Sequence, residues 1–294
     1  MYYRRKILLS ILQVFDNKLE KIRLQKLLLL YTKKQSIPAY QFVPYKYGCF
    51  SFQANADLST LAKYGQVTDD GKHWNKSDTT NYIQELKDPD RKLVKNIKRL
   101  YGDKSNNELI RATYIKFPYL AINSFIAPEI LTKKEYQAVV EKKPLNKNNV
   151  LYTIGYEGIS LEGYLNKLII NDIKVLCDVR KNSLSMKYGF SKSQLRNACE
   201  DVGIMYSHFP DLGIESNKRQ KLNSQSDYDK LFKQYCEQVL EKATLRQKQI
   251  LDLLKSRKRV ALTCFEANVN QCHRKHLAES ITRLQGFKYQ LKHI

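Results

Sequence analysis

Long apolar runs are what this chain most plainly lacks. No stretch of its 294 residues approaches the uninterrupted apolar length that a membrane span requires. The opening segment, Met1 to Ser10, starts basic, but its apolar run is brief and broken by Gln13 and Asp16, so it makes a poor signal peptide. Neither a lipidation motif nor an amphipathic helix with a face free for lipid is evident. A soluble, cytoplasmic protein with no membrane partner is expected.

Acidic residues are scarce too: 29 Asp and Glu stand against 51 Lys and Arg, a formal net charge of +22. Such an excess predicts a polyanionic partner, because phosphate contacts release counterions and basic side chains supply them. Nucleic acid is the first candidate, DNA ahead of RNA, or else a nucleotide; a merely soluble basic protein is the plainer alternative. The six cysteines, at 49, 177, 199, 236, 264 and 272, are scattered and mostly embedded in apolar runs. That pattern fits buried reduced thiols in a reducing compartment better than a disulfide framework. A Walker glycine loop, a dinucleotide glycine fingerprint and a Ser-His-Asp elbow are all missing, so no cofactor is expected. There is no internal repeat, and composition alone does not settle the oligomeric state.

What is present falls into two parts. Residues 4–16 and 19–30 carry apolar stripes at helical spacing, followed by the aromatic, basic segment Gln41 to Ser51. A helix over Asn55–Tyr64 precedes an alternating stretch, Gln66 to Trp74, whose Asp70-Gly71 pair suits a hairpin turn. Further helices are expected from Asp88, from Asn106 to Ile115 and from Thr132 to Lys142. The polar, turn-forming run Lys142 to Asn149 marks a boundary, giving a basic, helical, nucleic-acid-binding domain over 1–145 and an α/β domain over 150–294. In the second part, buried-type strands at Val150–Ile154, Ile173–Val179, Ile204–Phe209 and Val260–Cys264 alternate with helical segments. A basic loop follows the third strand, and one long helix is expected from Asp227 to Lys255. This alternation predicts a mainly parallel sheet flanked by helices, with its site built by the loops after each strand.

The densest of those loops is the crossing from Val260-Ala-Leu-Thr-Cys-Phe-Glu266 to Gln271-Cys-His-Arg274. Asp178 and Glu266 each end a strand and so project to one sheet edge, where two carboxylates can divide acid and base work. His273, at a helix start, could shuttle a proton, and Arg180 and Arg274 could each fork onto a phosphate. Tyr156 and Tyr206, with Phe265, could stack a base. Cys272 beside His273 and Arg274 is a possible nucleophile, although the arginine follows too closely for a cysteine-phosphatase loop. Cys264, Cys272, His273 and His276 can be tabulated as a zinc set, but a strand end and a single helical turn are poorly placed to close a tetrahedron, so no metal is assigned. Each residue can also be read as a cap, a core thiol or a solvated charge.

Taken together, Thr153-Ile-Gly-Tyr-Glu157, Cys177-Asp-Val-Arg180, Ser183 to Phe190, Gly203 to Gly213 with His208, Cys264-Phe-Glu266 and Cys272-His-Arg274 resemble the family of domains of unknown function numbered 488. Asn182-Ser183 replaces a common proline-serine there, and Tyr156 a common histidine. The resemblance implies a fold and a site rather than a reaction, and it draws Ser183 and His208 into the group of candidate binding residues. In the first part, Arg23 to Tyr31, Pro44 to Ser51 and Leu58 to Gly65 resemble winged-helix-like domains of the YwgA and Panacea-antitoxin kind, with Cys49 where a proline is usual. The leading expectation is a nucleic-acid-associated protein whose α/β domain binds a nucleotide or base and hydrolyses an N-glycosidic or phosphoester bond. A non-catalytic regulator that senses a nucleotide or anion, and a Cys272-dependent phosphatase or transferase, are the alternatives.

Overall fold

A computed structural model describes residues 1–219, 222 and 224–294. Positions 220, 221 and 223, part of the basic loop expected after the third strand, lie outside the described residues. The chain divides into two compact units, Met1–Lys143 and Pro144–Ile294. Among the described residues, no helix is long and apolar enough to cross a membrane.

The first unit is made of helices with short antiparallel strands. It runs α1 (Tyr3–Val14), β1 (Lys18–Glu20), α2 (Lys21–Thr32), β2 (Val43–Tyr45), β3 (Gly48–Phe50), α3 (Phe52–Lys63), β4 (Val67–Asp69), β5 (His73–Lys76), α4 (Asp88–Tyr101), α5 (Asn106–Lys116), α6 (Ala127–Ile130) and α7 (Lys133–Val140). Ile7, Leu8, Ile11 and Leu12 of α1 and Leu24, Leu27 and Leu28 of α2 are buried in one cluster, as their helical spacing requires. The expected hairpin is present as β4 and β5, and it gains a third strand, since β1 pairs antiparallel with β5. Sequence periodicity assigned Leu19 and Glu20 to the second helix. Instead Asp16 and Asn17 both take positive φ (63° each), a left-handed turn that short polar side chains tolerate, and the chain emerges extended.

Asp57 of α3 ties this unit together. It is 1% exposed and accepts from Arg4 at 2.6 Å, Arg5 at 2.8 Å and the Tyr40 hydroxyl at 3.1 Å. Burial alone would push its carboxyl up, but the two arginines outweigh that and hold it below the usual carboxylate range.

The second unit runs β6 (Val150–Gly155), α8 (Leu161–Ile170), β7 (Val175–Asp178), α9 (Lys192–Asp201), β8 (Met205–His208), α10 (Gln225–Tyr235), α11 (Thr244–Arg257), β9 (Arg259–Cys264), α12 (His273–Thr282) and β10 (Gln290–His293). Its strands form one parallel sheet in the order β10-β6-β9-β7-β8. The four expected strands are all there. The fifth, β10, went unread because its four residues lie at the sheet edge with no buried position among them. β7 and β9 are buried at every position, as central strands covered on both faces must be. The single helix expected from Asp227 to Lys255 is interrupted by a π-helical turn over Cys236–Leu240. The buried Gln247 amide donates to the Leu240 carbonyl at 2.7 Å, adding to the longer bond of 3.3 Å that this oxygen accepts from the Ala243 N–H where the turn ends.

Because β9 returns to lie between β6 and β7, the strand order reverses there, and the carboxyl ends of three strands fall side by side. Gly155 is level with Cys264, and Asp178 lies between Thr263 and His208. That is where an open α/β sheet leaves a crevice for ligands.

Removing the charge from Asp57 tests the bracing of the first unit. Asp57→Asn is expected to cost about 3 kcal/mol at neutral pH in chemical denaturation, the order found when one partner of a buried ion pair is lost. A depressed carboxyl contributes stability above its unfolded value, about 3.9, and that contribution fades as pH falls through the folded value. The substituted protein should therefore lose less stability than wild type on acidification below about pH 4. Equal stabilities at pH 7 would contradict the bracing role.

Candidate functional site at the strand ends

The sheet edge carries two groups of side chains, and the backbone between them belongs to the end of β7. The first group is built on Asp178, which is fully buried. Its Oδ1 accepts from Arg180 Nε at 2.8 Å and from the Arg180 backbone N–H at 3.1 Å. Its Oδ2 accepts from Arg180 Nη2 at 2.6 Å and from the Tyr206 hydroxyl at 2.6 Å. Arg180 Nη1 in turn donates to the Tyr156 hydroxyl at 2.6 Å and to the Phe190 carbonyl at 2.9 Å. Burial would lower the arginine's pKa, but Asp178 more than compensates and raises it.

This closes the guanidinium fork expected to take a phosphate. It also makes Asp178 the anchor of an arginine rather than one of two working carboxylates. Tyr156 is equally committed: its ring stacks on Phe190 at 4.3 Å with an 11° tilt, while Phe265 meets it edge-on at 5.3 Å. The base-stacking surface expected of Tyr156 and Tyr206 is thus internal, for both are buried. The exposed rings are Phe265 and Tyr188. Tyr188 lies in the loop whose Lys187 ammonium donates to the Tyr156 carbonyl at 2.6 Å. Leu184 and Met186 of that loop are exposed as well. Ser183 is buried there, its carbonyl accepting from the Lys192 N–H at 3.0 Å. His208 places Nε2 2.9 Å from the Arg180 carbonyl.

The second group occupies the crossing after β9. Cys264, Cys272 and His273 are all buried, and their donor atoms lie within 4.8 Å of one another. The Cys264 thiol donates to Glu266 Oε2 at 3.1 Å and lies 3.6 Å from His273 Nδ1. His273 Nε2 is 3.0 Å from the Val179 carbonyl, so the imidazole joins this group to the strand that carries Asp178 and Arg180. Burial, reinforced by the hydrogen bond and charge of Cys264, pushes the Cys272 thiol well above its ordinary value. A low-pKa nucleophile is the opposite arrangement. His276, tabulated in sequence with the other three, instead packs on the Phe232 ring at 4.6 Å.

Arg274 shapes the crossing itself. It is 2% exposed and donates to the backbone carbonyls of Glu266 and, at 3.1 Å, of Ala267. The Glu266 carbonyl is pressed onto Gly155: a Cβ there would stand 1.9 Å from it. On the other side, Glu157, which sequence reasoning did not single out, accepts from the Ala267 N–H at 2.9 Å. Gly213 makes a matching close approach, its added Cβ 2.1 Å from the Lys181 nitrogen. Both glycines stand inside motifs that the sequence displays, and both are needed because backbone meets backbone. Of the residues expected to do chemistry, only Glu266 keeps partial exposure, while Asp178 and His273 are fully buried.

Two substitutions separate framework from working edge. Asp178→Asn leaves Arg180 buried without its anion and is expected to cost about 3–5 kcal/mol. Gly155→Ala drives a methyl into a carbonyl that Arg274 and Glu157 hold in place, and a cost of at least about 1–3 kcal/mol is expected. Urea denaturation of the full chain measures both. A loss below about 0.5 kcal/mol for Asp178→Asn, typical of a surface change, would show that the pair is not structural.

Residues 160–281 match the family described as Domain of unknown function DUF488. No curated protein and no solved structure matches the chain. The match does not reach the first unit, whose resemblance to YwgA-type and Panacea-antitoxin winged-helix-like domains is unsupported. It covers Asp178, Arg180, Ser183 and His208 as well as the crossing with Glu266, Cys272, His273 and Arg274, and begins just after Tyr156. Residues 160–281 of this protein are therefore a DUF488 domain.

Proposed function

We propose that the protein acts on nucleic acid, and that its α/β unit binds a nucleotide or base at the strand-end edge and hydrolyses an N-glycosidic or phosphoester bond there. The observation that carries the reading is Glu266. It is the one member of the expected acid–base set that solvent reaches, and it is held on a rigid crossing beside the exposed Phe265 ring. A carboxylate so placed can take a proton from an attacking water, and a ring so placed can stack on a base.

Both units contribute to the basic excess, which supports a polyanionic partner, with DNA ahead of RNA. Since the Arg180 and Arg274 guanidinium groups are engaged internally, phosphate contacts fall to loop lysines such as Lys181, which is exposed. All six cysteines are free thiols, which suits a reducing, cytoplasmic setting. Burial of Cys272 disfavours a thiol-dependent phosphatase or transferase. A non-catalytic sensor of a nucleotide or anion is favoured by one feature, the closure of Arg180 on Asp178, which leaves the edge few groups with which to drive a reaction.

Incubation with modified and unmodified DNA and RNA, followed by mass spectrometry of the products, separates the two. Hydrolysis predicts new products from wild type and a loss of about 10²–10⁴-fold in Glu266→Gln, the range for a removed proton-transfer group. Identical product profiles from both proteins across the panel would leave only the sensor. In retardation assays, binding should weaken steeply with salt, by about 10³-fold between roughly 50 and 200 mM if about six phosphates are contacted. Salt-independent binding would contradict a phosphate interface.

A further inference from the structure

Two thiols, an imidazole and a carboxylate converge where β9 passes into α12. Spacing alone argues against a metal there, because in sequence a strand end and one helical turn are poorly placed to surround an ion. The fold removes that objection. Gln271 ends a single 3-10 turn, Val269–Gln271, that folds the loop back, so Cys272 and His273 return to the end of the strand that carries Cys264.

The geometry points to a zinc-class divalent metal site whose protein ligands are Cys264 Sγ, Cys272 Sγ and His273 Nδ1, with a fourth position for water beside the Glu266 carboxylate. Four features of the crossing support it. First, the spacing fits: a tetrahedral ion with bonds of about 2.3 Å to sulfur and about 2.0 Å to nitrogen separates those two atoms by about 3.5 Å. Cys264 Sγ and His273 Nδ1 are 3.6 Å apart. Second, the imidazole is oriented as a ligand. Its Nε2 faces the Val179 carbonyl at 3.0 Å, and a proton held there leaves the Nδ1 lone pair directed at the thiols. Third, a charge balance is in place. A divalent ion with two thiolates and one carboxylate carries a net charge of −1. The adjoining Arg274 guanidinium is buried to 2%, donates only to carbonyl oxygens and leaves its Nε without a partner. Fourth, Glu266 is on the solvent side of the cluster, its Oε2 3.1 Å from Cys264 Sγ, whereas the three ligands are sealed.

Binding displaces one proton from each thiol to solvent and forms two sulfur bonds and one nitrogen bond to the ion. A water in the fourth position then gives a proton to the Glu266 carboxylate, and the resulting hydroxide attacks an electrophilic carbon or phosphorus of the substrate. The same carboxyl returns the proton to the leaving group. This last step rests on the hydrolytic reading above; the metal site does not.

The test uses the full chain purified without chelator, first from zinc-supplemented and then from cobalt-supplemented medium. Elemental analysis should find about one metal per chain in wild type, well under a tenth of that in Cys272→Ser and His273→Ala, and an undiminished content in Glu266→Gln and in His276→Ala. The cobalt form of wild type should show thiolate-to-cobalt absorption in the near ultraviolet and strong visible bands of a tetrahedral ion. That spectrum decides the matter even if the cysteine variant fails to fold. Metal-free wild type with no cobalt spectrum, or with Cys264 and Cys272 joined as a disulfide, overturns the site. Glu266→Gln losing metal as fully as Cys272→Ser overturns the water position and makes Glu266 the fourth ligand. Full metal loading together with an absence of hydrolysis products overturns the hydrolytic reading and leaves the site standing.

Discussion

Burying the carboxylate of Asp178 at the end of a central strand is the constraint from which the rest of the sheet edge follows. A lone carboxylate there would cost far more than the fold can spare, and only a closely fitted cation with further donors offsets it. Arg180 supplies the cation two residues later, Tyr206 a hydroxyl from the neighbouring strand, and the chain's own N–H a fourth bond. The arginine then has to be held in place itself. Tyr156 and the Phe190 carbonyl do so, and the stacked pair of their rings roofs the network. One buried charge thereby dictates the positions of three strand-end loops. It explains why so many polar residues gather at the edge without being open to a ligand.

Against that rigid half stands the crossing after β9, where the same economy does not hold. Two thiols and an imidazole are sealed beside a carboxylate that solvent still reaches, and Arg274 spends its donors on the carbonyls of the loop. Gly155 and Glu157 brace the loop from the β6 side. So much fixed geometry around so few reachable groups suits a site in which position matters more than the number of catalytic residues. The hydrolytic proposal and the metal proposal both rest on this asymmetry between the two halves.

The parallel sheet was legible because buried strands appear as short apolar runs, and Val150–Ile154 and Val260–Cys264 are such runs separated by helical patterns. β10 was not, since Gln290–His293 lies at an edge and has nothing to bury. Nor was the π turn after α10, because neither proline nor glycine marks it and its support, Gln247, comes from the next helix. At the site, residue type and strand ends were enough to place Asp178, Arg180, Glu266 and Arg274 at one edge. Which partner each would choose was not readable. Periodicity says where a side chain starts, whereas Arg180 turning back onto Asp178 and Cys272 folding back towards Cys264 depend on distances that only the folded chain sets.

Nucleic acid is proposed to engage the edge of the α/β unit at the groups that solvent reaches, the exposed Tyr188 and Phe265 and the partly exposed Glu266. Hydrogen–deuterium exchange of the full chain with and without a single-stranded oligonucleotide measures this directly. Protection is predicted in two segments of that unit, residues 181–190 and 265–271. Protection confined to residues 1–143, with both segments exchanging as in the free protein, would contradict it.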